Sequence, residues 1–252
     1  MATPVQKVFQ SAYKLFSRVT VGSSSFNEHL REVTVLASKL TATDVNFSFH
    51  DDPETQRQVE QGNVAPAVYV HLWEDRVLSM GIFVVRQGCR IPLHNHPDMH
   101  GICKVIQGTV RVNSFTPMSP VGLDIPKHIS QNAKQSLLPL LRKKEQSQFS
   151  PVTTHSSITL TKDDPACVLS PSAGNIHEMV SVDGPVAFID ILAPPYDHTT
   201  GERVCQYYQE NSSEDGTSNS SNGQVHWFRC VPPPNSFWCD TMDYTGPSLN
   251  IP

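Results

Sequence analysis

No segment of this chain approaches the roughly 20 consecutive apolar residues that a membrane-spanning helix requires, so no membrane partner is expected. Positive charge is not in excess: 19 Lys and Arg stand against 24 Asp and Glu, a net charge of −5 over 252 residues. That balance lacks the basic footprint of nucleic-acid-binding domains, and no nucleic acid partner is expected either. The six cysteines, at 89, 103, 167, 205, 230 and 239, include no C-x-x-C pair. The N-terminus lacks the pattern of a secretory signal. Free thiols in a reducing compartment are the simpler reading than a disulfide framework. The cytoplasm is the expected location and a monomer the expected state.

Acidic residues are missing before Glu28. Over that stretch Val5, Val8, Phe9, Ala12, Phe16 and Val19 follow helical spacing, with Lys7, Lys14 and Arg18 among them. The pattern suits a helix packed on a domain, and it also suits an amphipathic, acid-poor mitochondrial presequence. The packed helix is preferred because apolar stripes on helices are most often core faces; a mitochondrial location is the alternative.

A second helix is expected from about Phe26 to Leu40, where Leu30, Val33, Leu36, Ala37 and Leu40 form one stripe. Thr41–Asp44 reads as a turn and residues 45–66 as an extended connector. From Ala67 the pattern changes to period two and short apolar runs, giving strands at 67–74, 77–85, 90–94, 101–106, 109–115, 157–161, 166–170, 177–181, 185–192 and 225–230. Many short strands separated by turn residues mean an all-β sandwich or barrel. Residues 116–156 are rich in Pro, Ser, Gln and Lys, and residues 209–224 contain no core-forming side chain. Both are expected as solvent-exposed insertions. The division is thus an N-terminal helical and extended segment, 1–66, followed by one β domain, 67–252.

The run Gly88-Cys-Arg-Ile-Pro-Leu-His94-Asn-His96-Pro-Asp-Met-His100-Gly101 carries the chemistry. Histidines two apart on a strand point to one face, and two neutral imidazoles there make half of a transition-metal site. With Gly88 before and Gly108 after, the run resembles the first metal-binding motif of the cupin superfamily, G-x5-H-x-H-x4-E-x6-G. Gly101 stands where a cupin usually carries its glutamate ligand. Pro171-Ser-Ala-Gly174-Asn-Ile-His177 resembles the second cupin motif with one extra residue, and it supplies a third ligand. The implied fold is a double-stranded β-helix, the cupin jelly roll. The implied metal site is His94, His96 and His177, three neutral ligands that would leave three positions open. Without a carboxylate the metal keeps its full charge and favours an anionic ligand such as a thiolate. Imidazole suits several metals, so ligand type alone leaves zinc, nickel and manganese open beside iron.

Asp190 interrupts the apolar strand Phe188-Ile-Asp190-Ile-Leu-Ala, and a buried carboxylate is costly unless paired or hydrogen-bonded. It could orient a ligand histidine, receive a substrate ammonium, or tie down a loop amide. Tyr196, after Pro194-Pro195, could place its hydroxyl near the metal or cap the barrel. Cys205 and Tyr207 would share a strand face, where they could form a thioether or simply pack. His100 could line the site or hydrogen-bond a loop; His71 reads as structural.

Taken together, Ile91-Pro-Leu-His94-Asn-His96-Pro-Asp-Met-His100-Gly101, Asn175-Ile-His177, Asp190-Ile-Leu-Ala-Pro-Pro-Tyr196-Asp197, Phe237-Trp238-Cys239 and Tyr244-Thr-Gly-Pro resemble the cysteamine dioxygenase family of thiol dioxygenases, related to the plant cysteine oxidases. The resemblance runs from about Val68 to the C-terminus. It implies an Fe(II) enzyme that adds both atoms of O2 to cysteamine, or to the N-terminal cysteine of proteins, giving a sulfinate. In the second role it implies an oxygen sensor feeding the arginine N-degron pathway. A non-iron cupin running an isomerase or hydrolase reaction, and a non-enzymatic metal-binding cupin, are the alternatives; bound iron with thiol-dependent O2 uptake separates them.

Overall fold

The structure, a computed structural model, describes residues 2–121, 123, 149–197, 199–210 and 225–252. Three helices, α1 (Pro4–Arg18), α2 (Ser24–Ala37) and α3 (Pro53–Glu60), precede eleven strands. Thr3 caps α1 and Pro4 sits in its first turn; Ser23 caps α2 through the Phe26 amide. These are favoured helix starts, since a short polar side chain satisfies an otherwise orphaned N–H and proline needs none. The same rule explains a departure from expectation. Residues 45–66 are not simply extended, because Asp52 accepts from the Thr55 amide and Pro53 opens α3. A proline that reads as a breaker serves here as a starter.

The strands are β1 (Ala67–Glu74), β2 (Ser79–Val85), β3 (Arg90–Asn95), β4 (His100–Pro117), β5 (Phe149–Thr154), β6 (Ile158–Thr161), β7 (Cys167–Leu169), β8 (Ile176–Ala193), β9 (Tyr207–Glu210), β10 (Val225–Val231) and β11 (Cys239–Met242). β4 and β8 are each one long strand where the sequence suggested two. They pair antiparallel from His100↔Ala193 to Phe115↔Ile176, with register shifts around Gln107. Gly108 and Asp183-Gly184, which fall in the gaps between the strands expected from sequence, are instead the corner of this ladder. Gly108 has φ +74, and a Cβ there would lie 2.3 Å from the Pro185 carbonyl oxygen. Only glycine lets the two backbones bend together so closely.

One half of β8 pairs with β2 and the other with β3. A closed ring then runs from β4 to β8, β3, β9, β10 and β5 and back to β4. This is the double-stranded β-helix. Phe149–Thr154, within the expected insertion, is a strand needed to close it. Its Pro151 cannot donate, but its carbonyl accepts from the Met118 amide at 2.9 Å. β11 and β9 were likewise not marked as strands by periodicity. Residues 122, 124–148 and 211–224 of the two expected insertions lie outside the described residues.

The helices cover the outer face of β1, β2 and the second half of β8. Val5, Val8, Phe9, Ala12 and Leu15 of α1 join Val68, Val70, Met80, Ile82, Ile189 and Ile191 in one core. The N-terminal stripe is therefore a core face. β8 is buried on both faces beyond Pro185, which is why it reads as a nearly unbroken apolar run. Among the described residues no helix is long and apolar enough to cross a membrane.

Phe9 is fully buried, with its ring 5.0 Å from that of Trp73 and 5.7 Å from that of Tyr13. Phe9→Ala should cost about 3–5 kcal/mol of unfolding free energy, the range for a large aromatic cavity. Urea titration followed by fluorescence measures this. An unchanged midpoint would mean that α1 does not share the barrel's core.

Candidate metal centre

β3 carries one extra residue opposite β8: Ile91 pairs Met179 and His94 pairs His177. The bulge falls at Pro92-Leu93. It turns both Ile91 and His94 inward although they are three apart, which is what bulges do beside functional sites. His94 is also the Cα partner of Tyr207 on β9, and Ser114 of β4 is the partner of His177. Ser114, His177, His94 and Tyr207 thus form one row across four strands on the inner face. His96 lies just beyond the end of β3.

The ligating atoms of His94, His96 and His177 all lie within 4.8 Å of one another. Ring centroids are 4.6 to 4.9 Å apart. The Nε2 atoms of His94 and His96 face each other at 3.1 Å. Two nitrogens each about 2.1 Å from one metal, at right angles, would be about 3.0 Å apart, so the spacing fits a shared ion. His94 Nδ1 lies 2.8 Å from the Pro92 carbonyl oxygen, which can only accept. That nitrogen carries the proton and Nε2 keeps its lone pair. The Tyr196 hydroxyl donates to the Asn95 carbonyl at 2.7 Å and accepts from His96 Nδ1 at 2.9 Å, which sets the same tautomer on His96. His177 hydrogen-bonds the Gly174 backbone.

Burial keeps all three rings neutral. It pulls His94 down to about 4 and His177 to about 3, the latter helped by His94, and it holds His96 well below the usual imidazole range, with both neighbouring rings adding to the effect. Neutral imidazole is the ligating form. The chain thus presents a three-histidine metal-binding site.

Where a cupin glutamate would stand, a Cβ on Gly101 would lie 2.8 Å from Leu169 Cγ and 3.1 Å from Leu192 Cδ2. Apolar side chains fill the space that the carboxylate would need. A cavity of about 90 Å³ opens beside His177, lined by Ser114, Met179, Phe188, Asp190, Cys103 and Cys167 among others. Asp190 shares this cavity but is not in the ligand cluster. Burial pushes its carboxyl up to about 7, opposed only by the Ile191 amide.

The Cys205 thiol lies between the hydroxyls of Tyr196 and Tyr207 and hydrogen-bonds both. Tyr207, its ring 6.4 Å from that of His94, opens β9, whereas Cys205 precedes the strand. The two are brought together by the irregular segment before β9 and by the Tyr207 hydroxyl, not by two positions within one strand. His100 is not at the metal site; its ring packs 5.0 Å from Phe26 and 6.3 Å from Phe16 under the helices.

Three residues have roles that the sequence analysis did not assign. Buried Asn175 clamps His96, accepting from its amide at 3.1 Å and donating to its carbonyl at 2.6 Å. Asn95 holds Gln206 and Tyr208 by side-chain bonds of 3.0 and 3.1 Å, anchoring the segment after Cys205. Tyr69 lies across Gly81, where a Cβ would come 2.3 Å from its ring, and Gly81 pairs with Asp190. Burial and then the acids Glu74 and Asp190 push the Tyr69 hydroxyl up to about 12. Glycine inside a strand was the available signal, since it marks close approach.

Tyr196→Phe keeps the ring but loses the hydrogen bond to His96. Metal affinity should fall about 10-fold to 100-fold, the usual cost of removing such a partner, as read by chelator competition; an unchanged affinity would make Tyr196 a packing residue. Asp190 gives a second test. In the folded chain it holds its proton up to about 7, whereas unfolded it ionises near about 4. The folded state binds more protons between those values, so stability is full below the lower one and is lost as pH rises through the upper. In metal-free protein, Asp190→Asn should raise the melting temperature more at pH 8 than at pH 4. The same shift at both would show that the ionised carboxylate is not destabilising in the fold.

The PCO_ADO family model matches residues 36–249. Over 228 residues the chain is 33% identical to 2-aminoethanethiol dioxygenase of Homo sapiens, covering 89% of this chain and 82% of that protein. It is 32% identical to 2-aminoethanethiol dioxygenase of Mus musculus, over 99% of this chain and 97% of that one. Plant cysteine oxidase 1 of Arabidopsis thaliana is 27% identical, over 82% of this chain and 64% of its own length. With the three-histidine site and the β-helix that carries it, these matches place the chain in the PCO_ADO family.

Proposed function

We propose that this protein is an Fe(II) thiol dioxygenase that converts cysteamine and the N-terminal cysteine of proteins to sulfinates. In the second role it would sense oxygen for the arginine N-degron pathway, working in the cytoplasm. The observation that carries the reading is a carboxylate-free set of three neutral imidazoles beside a small cavity that holds one buried acid. The names of the relatives, 2-aminoethanethiol dioxygenase and plant cysteine oxidase, support the thiol substrates.

Iron held by His94, His96 and His177 would supply the redox centre at which thiolate and O2 meet. The reaction R–SH + O2 → R–SO2H takes all four electrons from sulfur, so no reducing cosubstrate is needed. Sulfinate is the second step of cysteine oxidation and is essentially irreversible, which suits a mark that commits a protein to its fate.

The protein's own groups divide the work. Asp190 offers a carboxylate to the ammonium that cysteamine and an N-terminal cysteine share, two carbons from sulfur. Pairing with that cation would draw Asp190 to its ionised form, since an opposite charge offsets the cost of burial. Tyr69, beside it across Gly81, would limit how the amine approaches. Met179, Phe188 and Val112 give the cavity apolar walls. Tyr196 holds the proton on His96 Nδ1, and Cys205 with Tyr207 braces that hydroxyl from the other side.

A Cys-initiating peptide incubated aerobically with the iron-loaded protein should gain two oxygens, both from 18O2, without ascorbate or 2-oxoglutarate. Its N-acetylated form should react poorly, and Asp190→Asn should keep iron while turnover falls at least about tenfold, the scale expected when a group that orients chemistry at a metal is lost. Oxygen incorporation from water, or equal rates on free and acetylated peptides, would overturn the reading.

A further inference from the structure

Cys103 on β4 and Cys167 on β7 stand directly opposite each other in an antiparallel ladder, and the dioxygenase reading uses neither. Opposed residues in such a ladder hold their Cα atoms about 4.5–5.5 Å apart, inside the about 4.4–6.8 Å that a disulfide spans. Both thiols are free, both are partly shielded from solvent, and both line the cavity beside His177. None of the other four cysteines faces a cysteine in register. The two sulfurs hydrogen-bond one another, an arrangement that lowers Cys167 and raises Cys103 from the usual thiol range. Cys167, on the three-residue strand β7 that pairs only with β4, is the more accessible thiol and the attacking one; Cys103, set between Cys167 and the buried Asp190, is the resolving thiol.

We propose that Cys103 and Cys167 are a peroxide-oxidisable dithiol built into the wall of the metal cavity, closing reversibly to a disulfide between β4 and β7. The Cys167 thiolate attacks one oxygen of hydrogen peroxide and the O–O bond breaks. Cys167 becomes a sulfenic acid, and the departing hydroxide takes up a proton to leave as water. The Cys103 sulfur then attacks the Cys167 sulfur, gives up its proton and displaces a second water. Two thiols and one peroxide yield one disulfide and two waters, with two electrons passing from sulfur to peroxide. A small thiol reverses the change by exchange.

Asp190 is the register partner of Cys103 on its other side, a buried carboxylate placed on the same wall as the thiol that must lose its proton. β7 is only three residues long and leads into the turn at Ser170–Gly174 and then to Asn175, which clamps His96. A covalent tie between Cys103 and Cys167 would fix this short edge strand, and through it the approach to the ligand segment. It would also close the chain between residues 103 and 167, which restricts the unfolded state.

The test is a mass map of the full chain, treated with equimolar hydrogen peroxide without thiol substrate, alkylated and digested without reduction. The Cys103 and Cys167 peptides should appear joined, lighter than their sum by two hydrogens, and dithiothreitol should separate them. The melting temperature should rise on oxidation and fall back on reduction. Cys103→Ser should abolish the link and leave Cys167 trapped by dimedone as its sulfenic acid; Cys103→Ala repeats the test if the first variant does not fold. If both cysteines stay alkylatable, or oxidise separately to sulfinates while remaining unlinked, the proposal fails. The readout is a covalent map that needs no turnover, so the proposal stands or falls apart from the dioxygenase reading.

Discussion

The antiparallel ladder between β4 and β8 is the constraint on which everything else in this protein depends. One of its faces is covered by α1 and α2, and the other lines the barrel. It sets Ser114 beside His177 and Asp190 beside Cys103, and it presents the edge of β8 on which β3 brings His94 to His177. A slip of one residue would turn each of these side chains to the opposite face. The two faces of β8 hold that register, because a slip would turn Asp190 under the helices and drive Ile189 and Ile191 into the metal cavity. The corner at Gly108 and Asp183-Gly184 lets the same two strands serve both sheets of the β-helix.

The interior is built to be electrically quiet. Burial drives His94, His96 and His177 to their neutral forms, and the same desolvation keeps Asp190, Tyr196 and Tyr207 protonated over a wider range than in water. A cation held by the three imidazoles would meet no ligating carboxylate, and the position where one would stand is closed by Leu169 and Leu192. Charge in the cavity must then come from what binds there, with Asp190 as the available counter-charge. The contacts of His94 Nδ1 with the Pro92 carbonyl and of His96 Nδ1 with the Tyr196 hydroxyl aim the Nε2 lone pairs of those two rings inward in advance, so their geometry needs little rearrangement.

Much of the centre was legible because local chain geometry encodes it. His94 and His96 are two apart near a strand end, Gly174 precedes His177 by three, and Asp190 stands out in an apolar strand; each signal survives without knowledge of the fold. Cys205 and Tyr207 were legible as neighbours, but for the wrong geometric reason, since Cys205 lies before the strand. Asn175, Asn95 and Tyr69 were not legible. Their roles depend on partners far along the chain, such as Asn95 with Gln206 and Tyr69 with Asp190, and an asparagine in a loop looks alike whether it clamps a ligand or faces water.

The sequence by itself determined the all-β character, the apolar stripe of α1 and the ligand histidines, because these rest on periodicity and on spacing within a few residues. It also marked the absent glutamate. Only the tertiary structure decided that Gly108 and Gly184 are corners inside continuous strands, that Pro53 begins a helix, that Phe149–Thr154 closes the ring, and that Cys103 meets Cys167. Those outcomes depend on which strands pair and in what register. Pairing between distant segments is chosen by the burial of a whole sheet face, which no single stretch of sequence contains.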